Sequence, residues 1–148
     1  MSGSTGQGLT DESASVQSHL QIMQGVIQRM AANSSSCKTW CITIVSAILV
    51  LMADKDKPEL VWVALFPSIL FFVLDAYYLA LEKAFRASYN AFLEKLHTGQ
   101  LQPEDLYAVA PEGRIGQHRK EAAKSFSVWG FYGFLIVLVA IGWWLIRQ

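Results

Sequence analysis

The chain has 148 residues, which is the size of one small structural unit. Hydrophobic residues make up 53% of it and charged residues only 16%, whereas charged residues are about a quarter of an average soluble domain. The formal net charge is zero, so the chain lacks the basic field typical of nucleic-acid-binding proteins, and no direct nucleic acid binding is expected.

The N-terminal part predicts a leader followed by an amphipathic helix. Residues 1–12 are rich in Gly, Ser and Thr, which predicts disorder. Residues 13–33 are predicted to be a helix, because apolar residues recur there in steps of four and three. This packing seam consists of Val16, Leu20, Met23, Ile27 and Met30. The same steps continue through Ser34, Cys37, Cys41, Ile44, Ile48 and Leu51. The alternative is a helix lying on the bilayer surface, but its polar face has few basic residues.

Three apolar stretches follow, at residues 34–53, 60–81 and 125–146. Each is close to the roughly 20 residues that a helix needs to cross a ~30 Å hydrocarbon core. A short charged turn joins the first two stretches and predicts an antiparallel hairpin, with Pro58 in the first turn of the second helix. Pro67, inside the second stretch, predicts a kink. The sequence therefore predicts an all-α integral membrane protein with three transmembrane helices.

The loop at residues 82–124 is predicted to be helical. The apolar periodicity of the second span continues beyond Leu81, so that helix is expected to extend to about His97, where Thr98 and Gly99 stop it. Pro103 and the two acids after it predict a short helix. A final helix is expected to start near Gln117 and to run without a break into the third span.

The positions of Lys and Arg predict the orientation. Nine of the 12 lie on the side that holds the N-terminus and the 82–124 loop: Arg29, Lys38, Lys83, Arg86, Lys95, Arg114, Arg119, Lys120 and Lys124. Three lie on the other side: Lys55, Lys57 and Arg147. Loops on the cytoplasmic side of a membrane protein carry an excess of Lys and Arg. The N-terminal helix and the extension of the second span are therefore expected to be cytosolic, and the C-terminus is expected to lie on the opposite side.

Two charged residues fall inside predicted spans. Lys38 lies near the cytosolic end of the first span, and Asp75 lies at a similar depth in the second. An unpaired Asp or Lys at the centre of a membrane helix costs roughly 2.5–3.5 kcal/mol on insertion scales, so an intramembrane ion pair is expected. Two alternatives stay open. Lys38 could extend to the interface while Asp75 takes a proton or a water, or the pair could conduct ions or protons.

The sequence contains no catalytic motif, so no catalytic, cofactor-binding or metal-ligating residue is predicted and enzymatic activity is not expected. Cys37 and Cys41 share a helix face, where we expect them to pack as small apolar side chains, since two cysteines cannot complete a structural zinc site. The three histidines are scattered along the segments expected to be cytosolic.

Two segments carry a resemblance. One runs from Val26 to Trp40 (VIQRMAANSSSCKTW) and the other begins FFVLDAYYLALEKAFR at Phe71. They resemble small uncharacterised bacterial multi-spanning membrane proteins with an RMAxNS…KxW motif and an LDAYYL…EKxFR motif. The matching positions include Arg29, Asn33, Lys38, Trp40, Asp75, Tyr77, Tyr78, Glu82 and Arg86. The layout, a cytosolic helix feeding a helical hairpin, is also similar to membrane effectors of antiphage defence systems.

Three functions are consistent with these features. The resemblance implies an oligomeric effector of the bacterial inner membrane, which disrupts the membrane when a cytosolic partner protein or signalling ligand triggers it. The N-terminal helix and the 82–124 loop could instead make the chain an anchor or scaffold that docks a cytosolic partner. A small ion channel is the third function, and it would require ion flux that depends on Asp75.

Overall fold

The computed structural model describes residues 9–55, 57–111, 113 and 120–148. Regular structure in these ranges is entirely helical. Helix α1 spans Ala14–Asp54, α2 spans Val61–His97 and α3 spans Phe126–Ile146, with short 3-10 helices at Pro58–Leu60 and Pro103–Tyr107. Each of the three α-helical regions is long and apolar enough to cross a membrane, as the sequence predicts. Most of the predicted leader, residues 1–8, lies outside the described residues.

Helices α1 and α2 form a long antiparallel hairpin. Gln24 of α1 donates a hydrogen bond to the Tyr89 hydroxyl at 3.1 Å, and Lys38, further along α1, meets the earlier residue Asp75 of α2. With 41 and 37 residues, the helices are about 62 and 56 Å long, roughly twice the hydrocarbon thickness of a bilayer. We call residues 14–33 of α1 with residues 82–97 of α2 the arm.

The arm end of α2 is closed by a Schellman motif. The helix ends at His97, where the sequence predicts it to end, and Gly99 has a φ of 69°. The backbone N–H of Gly99 donates to the carbonyl of Leu96 at 3.2 Å, and that of Gln100 donates to Lys95 at 2.9 Å. These are the two hydrogen bonds that define the motif, and the left-handed backbone at position 99 favours glycine.

The residues predicted for the seam of α1 are buried or partly buried in the first part of the helix, but the predicted continuation of the seam differs from the buried face in the last part. Val16, Met23, Ile27, Ser34, Cys37 and Cys41 are buried, and Leu20, Met30 and Ile48 are partly buried. However, Ile44 and Leu51 are exposed, and Val45 and Met52 are buried in their place. Steps of four and three average 3.5 residues, so on a straight helix of 3.6 residues per turn the seam drifts by about 20° per heptad. Over the four heptads from Val16 to Ile44 this amounts to about 80°, nearly one residue.

Two separate apolar cores hold the helices together. The first, the span core, joins all three helices through Cys41, Val45, Ala64, Ala76, Val128, Tyr132, Leu135 and Val139. The second, the arm core, consists of Val16, Met23, Phe92 and Leu101. Outside the span core, large apolar side chains face outward, among them Trp62, Phe66 and Phe126, each more than 70% exposed. An apolar exterior around a packed interior is what a lipid environment requires.

The helix leading into α3 is not continuous, contrary to the sequence-based expectation. Residues 120–123 are helical, but Ser125 has an extended backbone (φ −63°, ψ 136°) and α3 begins at Phe126. Serine is a common residue at this N-cap position, where the chain enters a helix. The predicted start near Gln117 lies outside the described residues. Pro67 is buried within α2, which continues through it, and the kink stays a prediction.

Candidate functional site

The candidate site is a polar cluster on the hairpin between the arm core and the span core. Ser34 and Lys38 lie four residues apart on α1, so one helical turn places both on the same face. Asp75 lies on the facing side of α2, next to Ala76 of the span core. We call these three residues the junction cluster, because they lie where the arm joins the three-helix part of the molecule.

The structure brings Lys38 and Asp75 together. Lys38 Nζ lies 2.6 Å from Asp75 Oδ2, and the Ser34 hydroxyl donates a hydrogen bond to Asp75 Oδ1. Lys38 Nζ also donates weakly to Ser34 Oγ, at 3.5 Å. The contact at Oδ2 does not have hydrogen-bond geometry, and that oxygen has no other partner among the described residues, so its stabilisation is electrostatic.

Burial makes this pair different from the other ion pairs of the described residues. The Asp75 side chain is 0% exposed and that of Lys38 is 20% exposed, whereas the Lys55–Asp54 pair at the hairpin turn is more than 60% exposed on both sides. A buried carboxylate without a cation is strongly unfavourable, and a partly exposed ammonium can still reach the surface. Loss of Lys38 would therefore leave Asp75 as an unpaired buried charge. Loss of Asp75 would leave only an ammonium that can reach the surface.

Further polar side chains are buried on α1 and α3. Cys37 and Cys41 are buried free thiols on the same face of α1, as expected for small packing residues. The Tyr132 hydroxyl of α3 is buried and has no hydrogen-bond partner among the described residues. Sequence analysis did not single out Tyr132, although its position among apolar residues of the third span is a signal. Within the described parts of the chain, no group of three or more His, Cys, Asp or Glu residues could hold a metal ion.

The residues of the resemblance motifs do not all converge on the cluster. Arg29 and Trp40 are exposed, and Asn33 is partly buried. The rings of Tyr77 and Tyr78 meet edge to face, with centroids 5.6 Å apart. Glu82 and Arg86 form an ion pair of 2.9 Å, one helical turn apart. The motif thus combines the junction cluster with local contacts along α2 and with side chains on the surface.

His19 is a second residue that sequence analysis missed. It lies on α1 next to the seam residue Leu20, and it is buried at 3% exposure. Its ring packs on Phe92 of α2 with centroids 4.5 Å apart. The signal in the sequence was the helical spacing from Val16 and Met23, which places position 19 on the buried face as well as position 20.

The junction cluster can hold two helices at a fixed rotation and depth. Separation of the helices would expose the buried carboxylate of Asp75 and break its pairing with Lys38. Comparison with known proteins does not extend this description, since no family model, curated protein or solved structure matches the chain.

Proposed function

We propose that the protein is a non-enzymatic, oligomeric effector of the bacterial inner membrane that disrupts the membrane in an antiphage, abortive-infection response. The observation that carries this proposal is the junction cluster, a fully buried Asp75 held by Lys38 and Ser34 between the arm and the span core. The resemblance described above supplies the biological setting. Three apolar helices with outward-facing apolar side chains support insertion in the bilayer.

The cluster supports a resting state and an active state. In the resting state the ion pair is satisfied within one copy, so each hairpin is closed. A charge exposed to lipid is costly, so a copy whose arm is opened by a cytosolic signal needs new partners for Asp75 and Lys38. A second copy offers the same two residues. Re-pairing between copies would assemble an oligomer with polar groups facing its centre, which is an arrangement that permeabilises a membrane.

The proposed orientation places the arm and the N-terminus in the cytoplasm and the C-terminus in the periplasm. It rests on the excess of Lys and Arg on the arm side of the chain. With this orientation the arm lies where a cytosolic partner protein or signalling ligand can reach it. Fusion of a reporter that is active only in the periplasm should therefore give signal at the C-terminus and none at the N-terminus.

The direct test is membrane integrity in bacteria that express the chain. Strong expression of the wild type should collapse the membrane potential and admit a normally excluded DNA-binding dye. Asp75→Asn, which removes the carboxylate that Lys38 of a second copy would bind, should abolish dye entry at every protein level. The matched control is Asp54→Asn, which alters an exposed ion pair and should behave as the wild type. The exchange of Lys38→Asp with Asp75→Lys keeps one acidic and one basic group and should restore dye entry to the wild-type level.

Intact membranes at every expression level would contradict the proposal, as would equal effects of Asp75→Asn and Asp54→Asn at matched protein levels. Flux of a single ion type that depends on Asp75, with the dye excluded, would indicate a small ion channel instead.

An anchor or scaffold is the second candidate, and the arm core favours it. Val16, Met23 and Phe92 give the arm a packed interior of its own, separate from the span core. A packed helical arm presents a defined surface to a soluble partner. Co-purification of one stoichiometric cytosolic protein, lost when residues 16–30 are deleted and without any loss of membrane integrity, would favour this function.

A further inference from the structure

A buried histidine lies in the arm, at the contact between α1 and α2. His19 is 3% exposed, and both of its ring nitrogens are buried without a hydrogen-bond partner among the described residues. Its ring packs on Phe92 at a centroid distance of 4.5 Å and a tilt of 36°. Because Phe92 belongs to the arm core, His19 is part of the contact that holds the two helices of the arm together.

A proton added to this ring would be a buried charge without an acceptor. A neutral imidazole carries one donor and one acceptor, whereas the imidazolium carries two donors and a positive charge. Burial disfavours the charged form of an ionisable group unless an opposite charge or an acceptor faces it. The closed arm therefore favours the neutral ring of His19, and the charged ring is favoured where the arm has opened to water.

The groups around His19 do not supply the missing partner. The residues of α1 that lie one turn away on either side carry no charge: Ser15, Val16, Ile22 and Met23. Lys95 of α2 and Asp105 of the 3-10 helix that follows line the same cavity of about 290 Å³ as His19. Lys95 Nζ donates to Asp105 Oδ1 at 2.8 Å, and the Gln102 backbone N–H donates to Oδ2 at 2.9 Å. The nearby charges thus form a pair of their own, and the ammonium in it opposes a second cation.

We propose that the arm opens on acidification, through protonation of His19. Opening exposes the ring to water, where an imidazole takes up a proton at about pH 6.5. The open arm then binds one proton more than the closed arm, so opening becomes more favourable as the pH falls through this value and is independent of pH well above it. Between pH 7.5 and pH 5.5 the ratio of open to closed arms should rise about tenfold. This switch belongs to the arm and does not depend on the proposed membrane-disrupting function.

Asp105 does not titrate in this range. The hydrogen bond from Lys95, followed by that from the Gln102 backbone, lowers the pKa of Asp105. An ordinary aspartate already titrates at about 3.9, so the Lys95–Asp105 contact is unchanged between pH 7.5 and pH 5.5. The apolar stretches contain no histidine, since the three histidines of the chain are at positions 19, 97 and 118. Amides of the span core therefore serve as an internal reference.

The test is hydrogen exchange of the purified full-length chain in detergent, followed by mass spectrometry at pH 7.5 and pH 5.5. Each rate is divided by the chemical rate of an unprotected amide at the same pH, which gives a protection factor. Protection at residues 16–23 and 89–96 of the wild type should be about tenfold lower at pH 5.5. Protection at residues 41–48, in the span core, should be the same at both values.

The variants assign the effect to one histidine. His19→Phe keeps an aromatic ring against Phe92 but cannot take up a proton, so its arm should have the same protection at both pH values. His19→Leu should behave in the same way, with no ring. The matched control is the double variant His97→Phe with His118→Phe, which leaves His19 unaltered as the only histidine. This double variant should retain the tenfold loss, and it keeps the test decisive if a change at position 19 disturbs the arm.

The proposal is overturned if the wild-type arm is equally protected at both pH values, or if the double variant loses the pH dependence. A loss of protection in His19→Phe equal to that of the wild type would also overturn it. So would higher protection at pH 5.5, which is the result expected if Asp105 accepts a hydrogen bond from the charged ring. Membrane integrity is not a readout here, so failure of the switch leaves the proposed function untouched.

Discussion

Replacing Lys38 and Asp75 by alanine, singly and together, tests whether the ion pair holds the hairpin. Lys38→Ala leaves a carboxylate that is 0% exposed and keeps only the Ser34 hydroxyl, so we expect a loss of about 3–5 kcal/mol in the free energy of unfolding. Asp75→Ala leaves an ammonium that is already 20% exposed and can extend to the surface. Asp75→Ala should therefore lower the free energy of unfolding by about 1.5–3 kcal/mol, the typical contribution of a hydrogen bond to a charged group.

The double variant removes both charges, so no uncompensated charge stays buried. We expect its destabilisation to lie below that of Lys38→Ala alone, which gives a coupling energy of about 2–3 kcal/mol between the two residues. The order of the single variants follows from the burial of the two side chains. Lys38→Ala should be the more damaging, although in many proteins a lysine is the easier residue to replace.

The assay is reversible unfolding of the purified protein in mixed micelles, titrated with sodium dodecyl sulfate and followed by helical circular dichroism. The control cycle uses Lys55 and Asp54, whose contact of 3.1 Å is exposed on both sides. Its coupling should be about 0.2–1 kcal/mol or less. A double variant at Lys38 and Asp75 as destabilised as the sum of the single variants would refute the reasoning, and so would a larger cost for Asp75→Ala than for Lys38→Ala.

Three further predictions concern the rest of the fold. The hydrogen bond from Lys95, followed by that from the Gln102 backbone, lowers the pKa of Asp105. The contact of Asp105 should therefore be intact above the ordinary aspartate value of about 3.9 and be lost as the pH falls through the lowered value, measured as faster hydrogen exchange at residues 103–107. Met23→Ala should destabilise the arm by about 2–5 kcal/mol, whereas Ile22→Ala, at a neighbouring residue that is 53% exposed, should change the unfolding free energy by about 0.5 kcal/mol or less. A Cβ at Gly142 would lie 3.3 Å from Leu49, whereas one at Gly133 meets nothing within 4 Å, so Gly133→Ala should stabilise α3 by up to about 1 kcal/mol. Gly142→Val should instead destabilise the protein, and equal unfolding free energies for these two variants would contradict the packing of α3 on α1.

The sequence predicts the long elements of this fold because their signals are local. The apolar stretches, the glycine stop after His97 and the helix at Pro103 each depend on residues within one or two helical turns. The meeting of Lys38 with Asp75 was also predictable, since a hairpin with a short turn leaves little freedom in how far its two helices slide.

The features that the sequence did not predict depend on the exact rotation of the helices and on contacts between segments that are distant in the chain. The shift of the seam from Ile44 to Val45 accumulates over 28 residues, so no short window reveals it. The break at Ser125 was missed because the flanking sequence is helix-compatible on both sides. The Tyr132 hydroxyl, which has no hydrogen-bond partner within the described ranges, and the burial of His19 both depend on contacts between separate helices. Periodicity along one helix does not predict such contacts.

The continuity of α1 from Ala14 to Asp54 has a mechanical consequence. Because the helix has no hinge, a rotation applied at its N-terminal end turns all faces of the helix together. A turn of one residue, about 100°, is enough to carry Ser34 and Lys38 away from Asp75. A rotation at the N-terminal end of α1 would thus move the partners of the buried carboxylate, some 30 Å away, without any bending of the helix.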